Sequence, residues 1–234
     1  MSLDDRLLDH LPELRPIAAD GVEDVTLRQL LTMTSGTGHR WFADERITAP
    51  DLLHEIVTAP LAATPGTRFA YTGSGAYALG RVIARVTGAD LRSFLLPRLF
   101  APLDLRDPPW RTCPLGHPLA ESDLFLRTGE LARFARLLVQ EGRWDGRQVL
   151  PAPYVRRMTG ERVDTGTATY GEAYTHGYGL GVWIDRADTY RLDGRYGQYV
   201  VVSLARRATV TVTAHAERDQ DLLAAIHELV VARL

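Results

Sequence analysis

Few side chains in this sequence can do covalent or proton chemistry, and their spacing narrows the choice further. All 27 basic residues are arginines. A deprotonatable amine is therefore missing, which removes Walker A loops, Schiff-base lysines and pyridoxal-phosphate sites. The seven histidines, His10, His39, His54, His117, His176, His215 and His227, are scattered without a His-x-x-x-His pair, so neither a zinc site nor a cofactor is expected. Of these, His176, beside Gly177 at the mouth of an expected strand, is the one placed to line a site. A single cysteine, Cys113, excludes an internal disulfide and a cysteine-rich metal site, and nothing beside it activates a thiol. Gly73-Ser74-Gly75 misses the Gly-x-Ser-x-Gly elbow by its spacing. Ser35 and Ser74 have no base within sequence reach, so both read as structural, at a helix end and as an N-cap respectively. Tyr71 acting with His176 or Asp193 would be a separate hydrolytic route, for which the sequence supplies no geometry.

The elements that must position these groups follow from periodicity. The chain has 234 residues, 45% hydrophobic and 24% charged, enough for one large or two intimately packed domains. Thr26 and Gln29 form a capping box ahead of Leu27, Leu30 and Leu31, with Val25 and Leu30 as its staple. Further helices are expected over 50–58, 75–87, ending at Gly88, and 130–141, ending at Gly142. From Tyr178 the period shortens. Strands are expected over 179–185, 198–204 and 209–214, with turns at Asp193-Gly194 and Arg206-Arg207, and a last amphipathic helix over 219–233 covers that sheet. The pattern is α+β: a mainly helical lobe over 1–174, then antiparallel strands and a C-terminal helix over 175–234, in one compact unit. A net charge of -2 favours neither nucleic acid nor an acidic membrane. No apolar run approaches bilayer length and the first residues lack signal-peptide character, so the chain as written is expected to be cytoplasmic, with its natural start left open.

Five phrases in order carry a resemblance. Leu30-Leu31-Thr32-Met33-Thr34-Ser35-Gly36 is similar to the "LLTHTSG" helix end of the class C beta-lactamase and DD-peptidase superfamily of serine hydrolases. Pro65-Gly66-Thr67-Arg68-Phe69-Ala70-Tyr71-Thr72-Gly73 resembles its "PGxxFxYSN", and Tyr77-Ala78-Leu79-Gly80 the helix that follows. Glu130-Leu131-Ala132-Arg133-Phe134 with Gly142-Arg143-Trp144-Asp145-Gly146, and then Tyr178-Gly179-Leu180-Gly181-Val182-Trp183, resemble later stretches. The resemblance spans nearly the whole chain and implies a beta-lactamase/transpeptidase-like fold.

What the resemblance implies about chemistry is uneven. Tyr71 stands at the proton-relay phenol of Tyr-x-Asn, whereas Gly73 replaces the amide that would bind substrate. Gly194-Arg195-Tyr196-Gly197 stands at the third motif, Gly-[Lys/His]-[Thr/Ser]-Gly, followed by Gln198. Arg195 keeps the cation and Tyr196 replaces a short hydroxyl, a variation similar to esterase-like and amide-hydrolase-like branches. Together with His176, the residues Gly73, Tyr196, Gly197 and Gln198 are the expected substrate contacts. The Ser-x-x-Lys nucleophile motif has no counterpart, because there is no lysine; Ser2 to Leu14 is similar to the family segment just after it. The expected substrates are thus small esters, amides or D-peptides, handled by a chain that lacks the first strands and nucleophile helix, is inactive as given, and takes no acyl adduct from penicillin or fluorophosphonate. The alternative is a non-catalytic ligand-binding or interaction module. A homo-oligomer covering an exposed sheet edge is expected in either case.

Overall fold

A computed structural model describes residues 1–39, 48–166, 171–186 and 189–233. They divide into two compact units, one of Met1–Phe100 with Arg106–Phe125, the other of Ala101–Leu105 with Leu126–Leu234.

The first unit is helical, with α1 (Leu7–His10), α2 (Leu27–Leu31), α3 (Leu52–Thr58), α4 (Ser74–Thr87) and α5 (Leu91–Leu95). The expected capping box is present: Thr26 accepts from the Gln29 backbone N–H and the Gln29 side chain accepts from the Thr26 N–H. Asp51 caps α3 by accepting from the N–H groups of Leu53 and His54. Each such cap satisfies donors that a helix start leaves open. Gly88, at φ +72°, ends α4 in the left-handed conformation that glycine takes without steric cost. Leu8, Leu27, Leu52, Leu53, Tyr77 and Val82 pack into one core, and full burial of each such aliphatic side chain is worth about 1.5–3 kcal/mol. Cys113 belongs to this core and accepts a hydrogen bond from the Tyr77 hydroxyl at 3.2 Å.

The second unit holds α6 (Thr128–Val139), the ribbon β1 (Arg143–Trp144) and β2 (Arg147–Gln148), α7 (Ala152–Gly160), the sheet strands β3 (Trp183–Ile184), β4 (Thr189–Gly194), β5 (Gln198–Ser203) and β6 (Ala208–Val212), and α8 (Asp219–Leu229). The ribbon turns on Asp145 and Gly146, both at positive φ (+45° and +79°), as an Asp-Gly type I′ hairpin requires. The sheet is an antiparallel meander in the order β3-β4-β5-β6. Residues of β5 alternate between two apolar faces: Val200 and Val202 pack with Ala135 and Leu138 of α6 and Val155 and Met158 of α7, whereas Tyr199 and Val201 pack with Leu223 and Ile226 of α8. Period-two alternation with apolar residues on both sides is the pattern of a strand covered on both faces.

The structure departs from the sequence expectations in four places. β4 is a full strand paired with β5 from Thr189 to Gly194, where only a turn at Asp193-Gly194 was expected. The expected strand over 179–185 shrinks to Trp183–Ile184, because Gly181 sits at φ +77° and breaks the extended run. The helices α5 and α7 were not anticipated. Finally α6 and α7, which the sequence grouping placed with the helical lobe, fold with the sheet. Among the described residues no helix is long and apolar enough to cross a membrane.

Candidate functional site

In the first unit, two of the sequence phrases meet. The end of α2 lies against the start of α4 so closely that a Cβ on Gly75 would come within 2.7 Å of the Leu30 carbonyl oxygen. The turn after α2 is laced to 62–70 by backbone bonds: Ala62 N–H to Gly36 O (2.8 Å), Gly66 N–H to Thr34 O (2.8 Å) and Ala70 N–H to Met33 O (2.9 Å). Met33 is held at φ +58°, a left-handed backbone that costs a non-glycine residue about 1 kcal/mol or more. This lacing fixes the stretch leading to Tyr71, which is half-buried three residues ahead of α4. Gly73 occupies the N-cap position of that helix and is buried. The chain contains no asparagine, so no Tyr-x-Asn amide exists anywhere in it.

Ser74 is the first residue of α4 rather than its N-cap. Its backbone N–H donates to the Thr72 hydroxyl, which in turn donates to the Ser74 hydroxyl at 3.2 Å. In space it does have a base beside it, which the sequence could not show: the Ser74 hydroxyl lies 3.3 Å from His39 Nδ1, and His39 Nε2 lies 3.8 Å from a Glu55 carboxylate oxygen. Burial pushes the His39 imidazole below its ordinary range, with Glu55 opposing, so the ring is held neutral. The order of groups is that of a serine–histidine–carboxylate relay. Two features separate it from a working one. Ser74 is only 1% exposed, and the histidine-to-glutamate separation is longer than a hydrogen bond that would orient the ring.

In the second unit, the third-motif candidate is the tight connection between β4 and β5. The N–H of Gly197 donates to the Gly194 carbonyl at 3.3 Å, and Tyr196 between them sits at φ +66°. Gly197 sits at φ +93°, a backbone that favours glycine, and a Cβ there would press within 2.8 Å of the Leu222 side chain on α8. Arg195 is exposed, with its guanidinium 4.9 Å from the Tyr196 ring centroid, and no carboxylate among the described residues pairs with it. Tyr196 stacks on His215 at 4.6 Å and 26°, a contact that sequence reasoning missed because nineteen positions separate the two residues. The Gln198 amide nitrogen donates to the carbonyls of Ala214 and Arg195. It ties the turn to the segment just after β6. His176 is exposed, two residues after the short 3-10 turn Glu172–Tyr174.

Tyr71 and Gly73 thus belong to one unit, and Arg195, Tyr196, Gly197, Gln198 and His176 to the other. Among the described residues, no three His, Cys, Asp or Glu side chains gather as metal ligands.

Comparison with known proteins agrees with this arrangement of elements. A lovastatin esterase from Penicillium rubens is 33% identical over 127 residues, which are 50% of this chain and 30% of the esterase. A Bacillus anthracis protein described as a 6-aminohexanoate-dimer hydrolase superposes with a TM-score of 0.76 at 19% identity, over 100% of this chain and 66% of that one. A D-stereospecific amidohydrolase from Streptomyces sp. gives a TM-score of 0.73 at 20% identity, over 96% of this chain and 78% of that one. The chain therefore spans less than a third of the esterase and about two thirds of the first of these structures. The family profile for beta-lactamases matches residues 1–232, and the chain belongs to the beta-lactamase family of hydrolases.

Proposed function

We propose that this chain carries the substrate-binding and proton-relay portion of an acyl-transfer hydrolase for small esters, amides or D-peptides, and that its 234 residues alone do not complete an acyl-enzyme by the Ser-x-x-Lys route. The carrying observation is the combination of a positioned Tyr71 with a complete absence of lysine. A serine hydroxyl is a poor nucleophile until a neighbouring base takes its proton. Arginine does not give up its proton at ordinary pH, so Arg195 cannot be that base. What Arg195 can do is hold negative charge on a bound acyl compound from a fixed turn; a phenol such as Tyr71 can, for its part, pass a proton. The esterase and amidohydrolase relatives support the choice of substrate class.

A second reading, a ligand-binding module without catalysis, draws support from Gly73 in place of an amide and from Gln198, whose amide nitrogen is tied to backbone carbonyls. Both readings require the chain to bind acyl compounds. With the purified chain, a D-alanyl dipeptide is expected to bind saturably in calorimetry, and Arg195→Gln to weaken it by about tenfold, the loss of one charge-assisted contact. A short-chain p-nitrophenyl ester is expected to give no burst. Absence of any saturable binding sinks both readings, and a burst of one equivalent sinks the claim that acylation is incomplete.

A further inference from the structure

We propose that His215 is a positioning residue of the turn between β4 and β5, an inference that rests on the acyl-hydrolase reading: its ring braces Tyr196, and Tyr196 holds the Arg195 guanidinium toward the carboxylate of an anionic acyl ligand. The starting observation is a strained backbone. Tyr196 sits at φ +66°, a left-handed conformation that glycine takes freely and that a bulky residue keeps only where its surroundings hold it. Burial is not what holds it, because Tyr196 is 36% exposed and His215 is exposed as well.

The hold comes from the segment that follows β6. The N–H of Ala216 donates to the Tyr196 carbonyl at 2.9 Å, and the Gln198 amide nitrogen donates to the Ala214 carbonyl. His215 stands between these two anchors, which bring its ring to the turn. There it stacks on Tyr196 with centroids 4.6 Å apart and planes 26° from parallel, within the range at which stacked rings attract. The two anchors fix the main chain of the turn, and the stack fixes the ring of Tyr196. That ring is in turn the platform for Arg195, whose guanidinium carbon lies 4.9 Å from its centroid, an attraction of a cation for an aromatic face. Asp193, the carboxylate nearest to Arg195 along the chain, does not neutralise it: Asp193 is largely buried and accepts from Arg191 Nε at 2.9 Å. A guanidinium presented in this way favours a ligand with a free carboxylate over its neutral counterpart. Without the His215 ring, Tyr196 is free to turn, and Arg195 keeps its charge but loses its platform.

Calorimetry on the full chain with D-alanyl-D-alanine and with its C-terminal amide tests this, because the two ligands differ in the carboxylate alone. The unsubstituted chain is expected to bind the acid about tenfold more tightly than the amide, the size of one charge-assisted contact. Arg195→Gln should erase that preference. His215→Ala should cut it to about threefold or less, and His215→Phe, which keeps a ring against Tyr196, should restore it to about tenfold. Tyr196→Gly removes the platform while relieving the left-handed backbone, so it should lose the preference as His215→Ala does, and it decides the matter should His215→Ala not fold. A merely structural role for His215 weakens acid and amide alike and leaves their ratio at about tenfold. That result overturns the positioning role and leaves the hydrolase reading standing, as does a His215→Phe chain that discriminates no better than His215→Ala, or a Tyr196→Gly chain that keeps the full preference. An unsubstituted chain that binds both ligands equally well overturns the anionic preference, and one that binds neither overturns the hydrolase reading and the positioning role together.

Discussion

Replacing Arg191 with alanine is expected to remove about 3–5 kcal/mol from the stability of the sheet-bearing unit, a large share of the whole. Arg191 is fully buried within β4 and links Asp185, Asp193 and the Ala173 carbonyl, and its guanidinium lies 4.6 Å from the Tyr174 ring and 5.9 Å from the Trp183 ring. Truncation leaves two buried carboxylates facing a void. Breaking a buried ion pair from one side costs about 3–5 kcal/mol, set against a total stability of about 5–15 kcal/mol for a typical domain. Removing the carboxylates along with the arginine tells a different story, because a neutral cluster of similar volume no longer buries charge. Arg191→Met with Asp185→Asn and Asp193→Asn is therefore expected to recover much of the loss. Urea unfolding followed by tryptophan fluorescence checks both, and a single-variant loss below about 1 kcal/mol would show that the cluster is solvated after all.

Gly36→Ala is expected to cost several times more than Gly88→Ala, although the two glycines share nearly the same backbone angle, φ +76° and +72°. Left-handed backbone alone penalises alanine by about 1 kcal/mol at both positions. Space separates them. A Cβ at Gly36 would lie 2.1 Å from the Ala63 carbonyl oxygen, a backbone atom held in place by the lacing between 33–36 and 62–70, whereas nothing lies within 4 Å of one at Gly88. The Gly36 variant must displace backbone, for a total of about 3 kcal/mol or more, and thermal unfolding should show its melting point well below that of Gly88→Ala. Equal melting points would mean that the 63–70 segment yields freely and that the approach to Tyr71 is not rigid.

These two positions also mark the boundary of what the sequence discloses. Gly36 stands in a phrase that reads from the chain alone, as do the capping box at Thr26 and Gln29 and the helices α3, α4, α6 and α8, all governed by contacts within a few residues. Arg191 and Asp193 do the opposite. Two charges at alternate positions of β4 imitate a solvent-facing stretch, when in fact their side chains are largely buried and share a hydrogen bond, so the sequence pattern does not mark the strand. α7 buries only Val155 and Met158, too few apolar positions to establish a period. Tyr71 and Arg195 are legible through their phrases. The contacts His39–Ser74, Tyr196–His215 and His227–Asp185 are tertiary, between positions 35, 19 and 42 apart, and no local pattern encodes them.

That distinction sharpens the question of nucleophilicity. With no Ser-x-x-Lys in the chain, the one serine with a histidine at its side among the described residues is Ser74, buried and bonded to Thr72. Treating the purified chain with a fluorophosphonate and with a fluorescent penicillin, followed by intact mass and peptide mapping, therefore bears most directly on the account. Unmodified mass with both reagents is the result it predicts; a stoichiometric adduct, at Ser74 with the fluorophosphonate or at any serine with the penicillin, contradicts it.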